Sequence, residues 1–207
     1  MVWFARVKNS VQYSTAFDCK PETYALRKKL HEEANLPLIP CTTAMPGFAP
    51  PELFVQSAIH RTPKKVFPDI INLDSFYGVS DRFRAVLEEF EPGLHQFSEP
   101  VDVRYKDGRA SEMTYYNFNP RIHLYNTLII EQSTAHKAIS QYTNKLKPEP
   151  DFRDSVLVAD ETLIQRHHFW VAPDYYGDWF VSDALKKRLD AIKLKNIEYS
   201  KVLVGRR

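Results

Sequence analysis

The sequence predicts an α+β fold: a mixed, mostly antiparallel sheet with a few helices, containing two related half-units, each a capped helix followed by a strand. Three observations carry this. Segments rich in β-formers and segments with helical spacing are interspersed without regular βαβ alternation, which argues against a parallel α/β sheet. The stretch YGVSDRFRAVLEEF (77–90) returns as WFVSDALKKRLDAI (179–192). The chain has 207 residues, 43% hydrophobic and 26% charged, which is ordinary globular composition and length enough to bury a core.

VWFARV (2–7) alternates and is rich in β-formers, so it is expected as a strand. PETYALRKKLHEEA (21–34) has Pro21 at a first helical position and apolar residues at Tyr24, Leu26, Leu30 and Ala34, which predicts a helix. Seven of the 14 prolines fall between Pro37 and Pro68. Proline removes a backbone donor and is excluded from helix interiors, so this segment is expected to be extended and rich in loops. VDVRY (101–105) runs into the turn KDG (106–108), and MTYYNFN (113–119) pairs naturally with it. HLYNTLIIEQ (123–132) reads as a strand and HKAISQYTNKLK (136–147) as a weak helix before a Lys-Pro-Glu-Pro linker. DSVLVAD (154–160) and RHHFWVA (166–172) are further strands. A last helix contains LKKRLDAIKLK, and IEYSKVLV (197–204) is the closing strand. This organisation divides the chain into residues 1–66 (strand, helix and proline-rich arm) and a domain over 67–207 that carries the repeat as 67–103 and 169–205.

Shifting the second copy back by 102 positions aligns Val79, Ser80 and Asp81 with Val181, Ser182 and Asp183. Phe83 then matches Leu185, Leu87 matches Leu189, Phe90 matches Ile192, Phe97 matches Tyr199 and Val101 matches Leu203; upstream, Tyr77 matches Trp179 and Phe67 matches Phe169. A serine ahead of a helical pattern is a good N-cap, because its hydroxyl accepts from an orphan backbone N–H. The aspartate behind it, Asp81 or Asp183, sits at the positive end of the helix dipole. Gly93 and Asn196 suit the left-handed turn that ends a helix. Ser80, Asp81, Ser182 and Asp183 are therefore read as structural caps.

The chemistry-bearing residues are few. None of the six glycines falls in a phosphate-binding or dinucleotide loop, and no Cys-x-x-Cys or His-Glu-x-x-His motif occurs. His167 and His168 are adjacent and on a strand would point to opposite faces, which disfavours joint metal ligation. No metal or other cofactor is expected. Cys19 and Cys41 make no disulfide framework and fit a reducing compartment. A net charge of +2 without a clustered basic face gives no argument for nucleic acid. No apolar run is long enough for a membrane span. A soluble cytoplasmic protein is expected, and the sequence carries no signal for an oligomeric state. PDYYGDWF (173–180) concentrates aromatics and acids beside a glycine, so Asp174, Tyr175, Tyr176, Asp178 and Trp179 are candidate partner contacts. The same region supports two alternatives: a hydrolase using His167 or His168 with Asp174 and Ser182, or a general protein- or ligand-binding module.

The order of these motifs resembles a bacterial family. HHFWVAPDYYGDWFVSDALKKRLDAIKLKNIEYSKV (167–202), with FPDIINLDSFYGVSDRFRAVLEEF (67–90), HQFSEPVDVRYKDG (95–108) and YYNFN (115–119) before it, is similar to the polymorphic-toxin immunity proteins, immunity protein family eleven. The resemblance covers roughly Phe67 to Val204. It implies a cytoplasmic protein that binds and neutralises a cognate secreted toxin encoded beside it, without catalysis.

Overall fold

The computed structural model describes residues 1–7, 17–18, 29, 48–60, 66–73, 76–134, 136–137, 146–147, 156–173 and 179–207. The strands are β1 (Val2–Val7), β2 (Phe17–Asp18), β3 (Ser57–His60), β4 (Ile70–Leu73), β5 (Phe76–Ser80), β6 (Gln96–Arg104), β7 (Tyr115–Asn119), β8 (His136–Lys137), β9 (Leu146–Lys147), β10 (Leu157–Asp160), β11 (Phe169–Trp170), β12 (Trp179–Ser182) and β13 (Ile197–Gly205). The helices are α1 (Asp81–Phe90), the short α2 (Glu161–Ile164) and α3 (Asp183–Ala191). The fold is α+β, and its strands divide between two principal sheets, ordered β10-β13-β1-β12-β11 and β2-β3-β6-β7-β5-β4, beside the small pair β8-β9.

Set β2 aside and the two sheets have the same plan. β3-β6-β7-β5-β4 corresponds strand for strand to β10-β13-β1-β12-β11. The pairs β3·β6 and β10·β13 are parallel, and every other pairing in the two series is antiparallel. Strand β1 thus holds in one sheet the place that β7 holds in the other. Ser80 lies opposite Tyr115 and Ser182 opposite Val2; Tyr77 lies opposite Phe118 and Trp179 opposite Ala5. The Asp81 N–H donates to the Thr114 carbonyl and the Asp183 N–H to the Met1 carbonyl, both at 3.0 Å. Residues on both sides of position 66 therefore build these sheets: β1 lies between β12 and β13, and β3 lies beside β6.

This geometry refines the alignment of the two halves. The offset of 102 holds from Tyr77/Trp179 through the helices. Ahead of it, Val79 pairs with Ile70 and Val181 with Phe169, so Ile70 rather than Phe67 is the counterpart of Phe169. Behind it, the register of β6 on β7 shifts between Phe97 and Pro100. That bulge adds one residue to β6, so buried Val101 corresponds to buried Val202, and not to Leu203, which is 47% exposed.

The two repeat helices, α1 and α3, start where the sequence places them; α2 was not expected from it. Ser80 (φ −68°, ψ 159°) and Ser182 (φ −69°, ψ 160°) are extended N-caps whose hydroxyls accept from the Phe83 and Leu185 N–H groups. Gly93 (φ 66°) and Asn196 (φ 63°) adopt left-handed backbone after the helices. Phe83, Val86 and Leu87 of α1 and Leu185 and Leu189 of α3 enter a core shared by both sheets, with Ala5, Val7, Tyr77, Phe118, Phe169 and Trp179. The opposite face of each sheet has its own core: Phe4, Trp170, Phe180 and Val202 in one, Ile71, Val101 and Tyr115 in the other. A cation packs over two rings at matching positions: Arg84 over Phe97 and Tyr116, Lys186 over Tyr199 and Trp3.

Two expectations need correction. Residues 123–132 do not form a strand; they contribute isolated bridges at His123 and Leu128 and a 3-10 turn at Ile130–Gln132. Asn126 has φ 55°, which breaks the extended run. The ends of the 136–147 stretch, expected as a weak helix, pair as β8 and β9; its middle, and nearly all of the 21–34 helix candidate, lie outside the described residues.

Candidate functional site at the seam between the halves

The capping serines are braced from the strand beside them. The Ser80 N–H donates to the Asp69 carbonyl at 2.8 Å, and its hydroxyl donates to Asp69 Oδ1 at 2.9 Å. Asp69 also receives Arg82 Nη2 at 2.6 Å and, on its other oxygen, the Lys195 N–H at 3.0 Å. In the second half the Ser182 N–H donates to the His168 carbonyl at 2.9 Å, and Ser182 Oγ lies 2.9 Å from His168 Nδ1. The structure thus brings together Ser182 and His168, two residues of the hydrolase alternative. It also gives the pair a structural role, because His168 occupies the position that Asp69 holds in the first half. Ser182 Oγ accepts the Leu185 N–H at 3.2 Å, and the imidazole packs edge-on to Phe90. Glu91, the nearby carboxylate, bonds the His168 backbone N–H and not the ring. The His167 N–H donates to the Ile164 carbonyl, and Asp174 lies outside the described residues.

Beside the Lys195–Asp69 bond and a two-point Arg188–Glu89 ion pair, two polar latches cross the seam, each reaching from the end of one helix to the edge strand of the other half. Asn196 follows α3; its carboxamide accepts the Ile70 N–H at 3.3 Å and donates to the Ile70 carbonyl at 2.6 Å. Glu91 follows α1; its Oε1 accepts the N–H groups of His168 (2.6 Å) and Phe169 (3.3 Å). Glu91 Oε2 lies 2.7 Å from His95 Nε2, in a pair that is buried on both sides. The Arg121 N–H donates to His95 Nδ1 at 3.3 Å, which places the ring proton on Nε2, facing the carboxylate. Burial pushes the Glu91 carboxyl up, but the bonds from His95, His168 and Phe169 together outweigh it and hold the group below its usual range. Edge strands otherwise offer unpaired backbone groups to any passing chain; here the latches occupy the N–H and C=O of Ile70 in β4 and the N–H of Phe169 in β11. Among the described residues no helix is long and apolar enough to cross a membrane, and no three His, Cys, Asp or Glu side chains cluster as metal ligands.

Comparison with known proteins supplies the deciding observation. The model of the immunity protein family (Imm11) matches residues 17–204. The chain belongs to this immunity protein family. A search of curated proteins returns no match. The Imm11 match reaches back to residue 17, well before Phe67, where the short motifs begin, and so includes β2 and β3.

In this Imm11 protein the segment singled out for contacts divides in two. Asp174, Tyr175, Tyr176 and Asp178 lie outside the described residues. Trp179 is 2% exposed, with its ring against Tyr77, Phe83, Phe118 and Phe169. Its place is in the shared core rather than at a surface, because alternation on β12 turns Trp179 and Val181 toward the helices. Sequence reasoning missed Glu91, His95 and Asn196 as a set. Each is an isolated polar residue after a helix, and only the fold shows which strand it reaches.

Proposed function

We propose that this Imm11 protein acts in the cytoplasm as a stoichiometric inhibitor, binding a cognate toxin and blocking it without bond-making or bond-breaking of its own. The observation that carries this reading is the family match over residues 17–204. The geometry of Ser182 supports its non-catalytic part. Its hydroxyl is tied to a helix N-terminus, and the equivalent Ser80 makes the same cap against an aspartate. Asp174, Tyr175, Tyr176 and Asp178 are proposed contacts, since aromatic and acidic side chains beside a glycine can bury area at small entropic cost.

The test is co-expression with the adjacent toxin gene. Toxin alone arrests growth, and co-expression restores growth and yields a complex that co-purifies. The 2.9 Å Ser182–His168 contact favours one second reading, a hydrolase that inactivates the toxin by cleaving it. Under the inhibitor reading His168→Ala and Ser182→Ala still protect; loss of protection in folded variants that still bind the toxin supports the hydrolase.

A further inference from the structure

The most exposed aromatic side chain of the described residues sits on an arginine. Phe48 is 69% exposed, and the guanidinium carbon of Arg121 lies 3.8 Å from its ring centroid. The two are 73 positions apart in sequence, and backbone contacts hold both in place. The Ala49 N–H donates to Gln96 Oε1 at 2.7 Å and Gln96 Nε2 donates to the Ala49 carbonyl at 2.9 Å, which staples the residue after Phe48 to the start of β6. The Arg121 N–H is fixed on His95, and residues 122–124 bond to Val171 on both sides, with Leu124 N–H to Val171 O and Val171 N–H to Ile122 O at 3.0 Å each. Leu94 (48% exposed) precedes His95, and Tyr125 (58% exposed) ends the same braced segment.

Among the described residues nothing answers the charge of Arg121. No carboxylate among the described residues pairs with its guanidinium, and its Nε is buried without an acceptor. Glu91, one hydrogen bond beyond His95, has both oxygens engaged. An arginine stacked on an aromatic ring, pre-ordered and lacking an acid, is suited to bidentate recognition of an incoming carboxylate. Exposed apolar neighbours on rigid backbone add area without an ordering cost.

We propose that Phe48, Arg121, Leu94 and Tyr125 form a docking surface for an acidic segment of the cognate toxin, one that sets a carboxylate on Arg121 and apolar side chains on Phe48 and Leu94. This placement rests on the toxin-binding reading above. The test measures the affinity of the purified full chain for the purified toxin domain encoded by the adjacent gene. Phe48→Ala and Arg121→Ala each weaken binding tenfold or more, and Arg121→Glu weakens it further. Leu94→Asp, in an exposed turn where folding tolerates a charge, also weakens it tenfold. Lys106→Ala, at the β6–β7 turn, stays within twofold. Added salt weakens the wild-type complex more than the Arg121→Ala complex. If the wild-type chain binds and all four folded variants stay within twofold, the surface is wrong and the toxin reading stands. If the wild-type chain does not bind, both are wrong.

Discussion

Replacing Glu91 with alanine tests the seam. The change removes the acceptor of two buried donors, the Phe169 N–H at 3.3 Å and His95 Nε2 at 2.7 Å, and of the half-buried His168 N–H at 2.6 Å. A buried donor left without a partner costs roughly 1–3 kcal/mol. The longest contact contributes least, and removing a buried carboxylate recovers part of the loss, so the net expectation is about 3–5 kcal/mol. Domains are commonly stable by only about 5–15 kcal/mol, so the urea midpoint should fall by roughly a fifth or more. Glu91→Gln should cost less, about 1–3 kcal/mol, because one oxygen still serves the strand while the amide N–H₂ faces the His95 donor. Trp170 and Trp179, both buried beside the seam, report the transition by fluorescence. The pH dependence has a definite sign. A carboxyl held low in the folded state contributes stability that is full above its unfolded value of about 4.3 and lost as pH falls through the lower folded value. The gap between wild type and Glu91→Ala should therefore be widest near neutrality and narrow below about pH 4. A Glu91→Ala protein within about 1 kcal/mol of wild type at pH 7, or a gap unchanged at pH 3, would refute the latch.

Other substitutions probe the remaining links. Ser182→Ala should cost about 1 kcal/mol, the usual value of a lost cap, and leave toxin protection intact; urea titration and growth assays check both. Gly78→Ala should destabilise by about 1–3 kcal/mol, because a Cβ there would sit 2.6 Å from Leu73 Cδ1 and 2.8 Å from Ile71 Cγ1; an unchanged melting temperature contradicts that packing. Joining Arg207 to Met1 with a short flexible linker would give β13 and β1 the hairpin connection that β6 and β7 already have. Since Val202 lies opposite Val2, the ring should fold and gain on the order of 2–4 kcal/mol, read as a higher melting temperature. A ring that fails to fold contradicts the register of β1.

Local signals carried much of this architecture. The Val-Ser-Asp stretches announce two capped helices because a cap is a short-range event: a hydroxyl and the N–H three residues on. Gly93 and Asn196 mark the helix ends for an equally local reason. The role of β1 was not legible. VWFARV reads as a strand, but nothing in six residues says that it stands at the centre of a sheet whose other strands lie about 150 or more positions away. The β6 bulge was hidden as well, since one added residue shifts a register without disturbing hydrophobic alternation enough to be seen. For the site, composition marked Asp174–Trp179 as aromatic and acidic, yet burial of Trp179 depends on which face of β12 meets the helices. The Phe48–Arg121 stack is a contact between two unremarkable positions, and only the folded backbone brings them together.

The claim that the protein works by occupying its target is tested most directly by titrating it into a fixed amount of purified toxin and following toxin activity. The account predicts a linear loss of activity that ends at one inhibitor per toxin, unchanged for Ser182→Ala and His168→Ala. Complete inactivation at a small fraction of that ratio, abolished in either folded variant, would show turnover and contradict it.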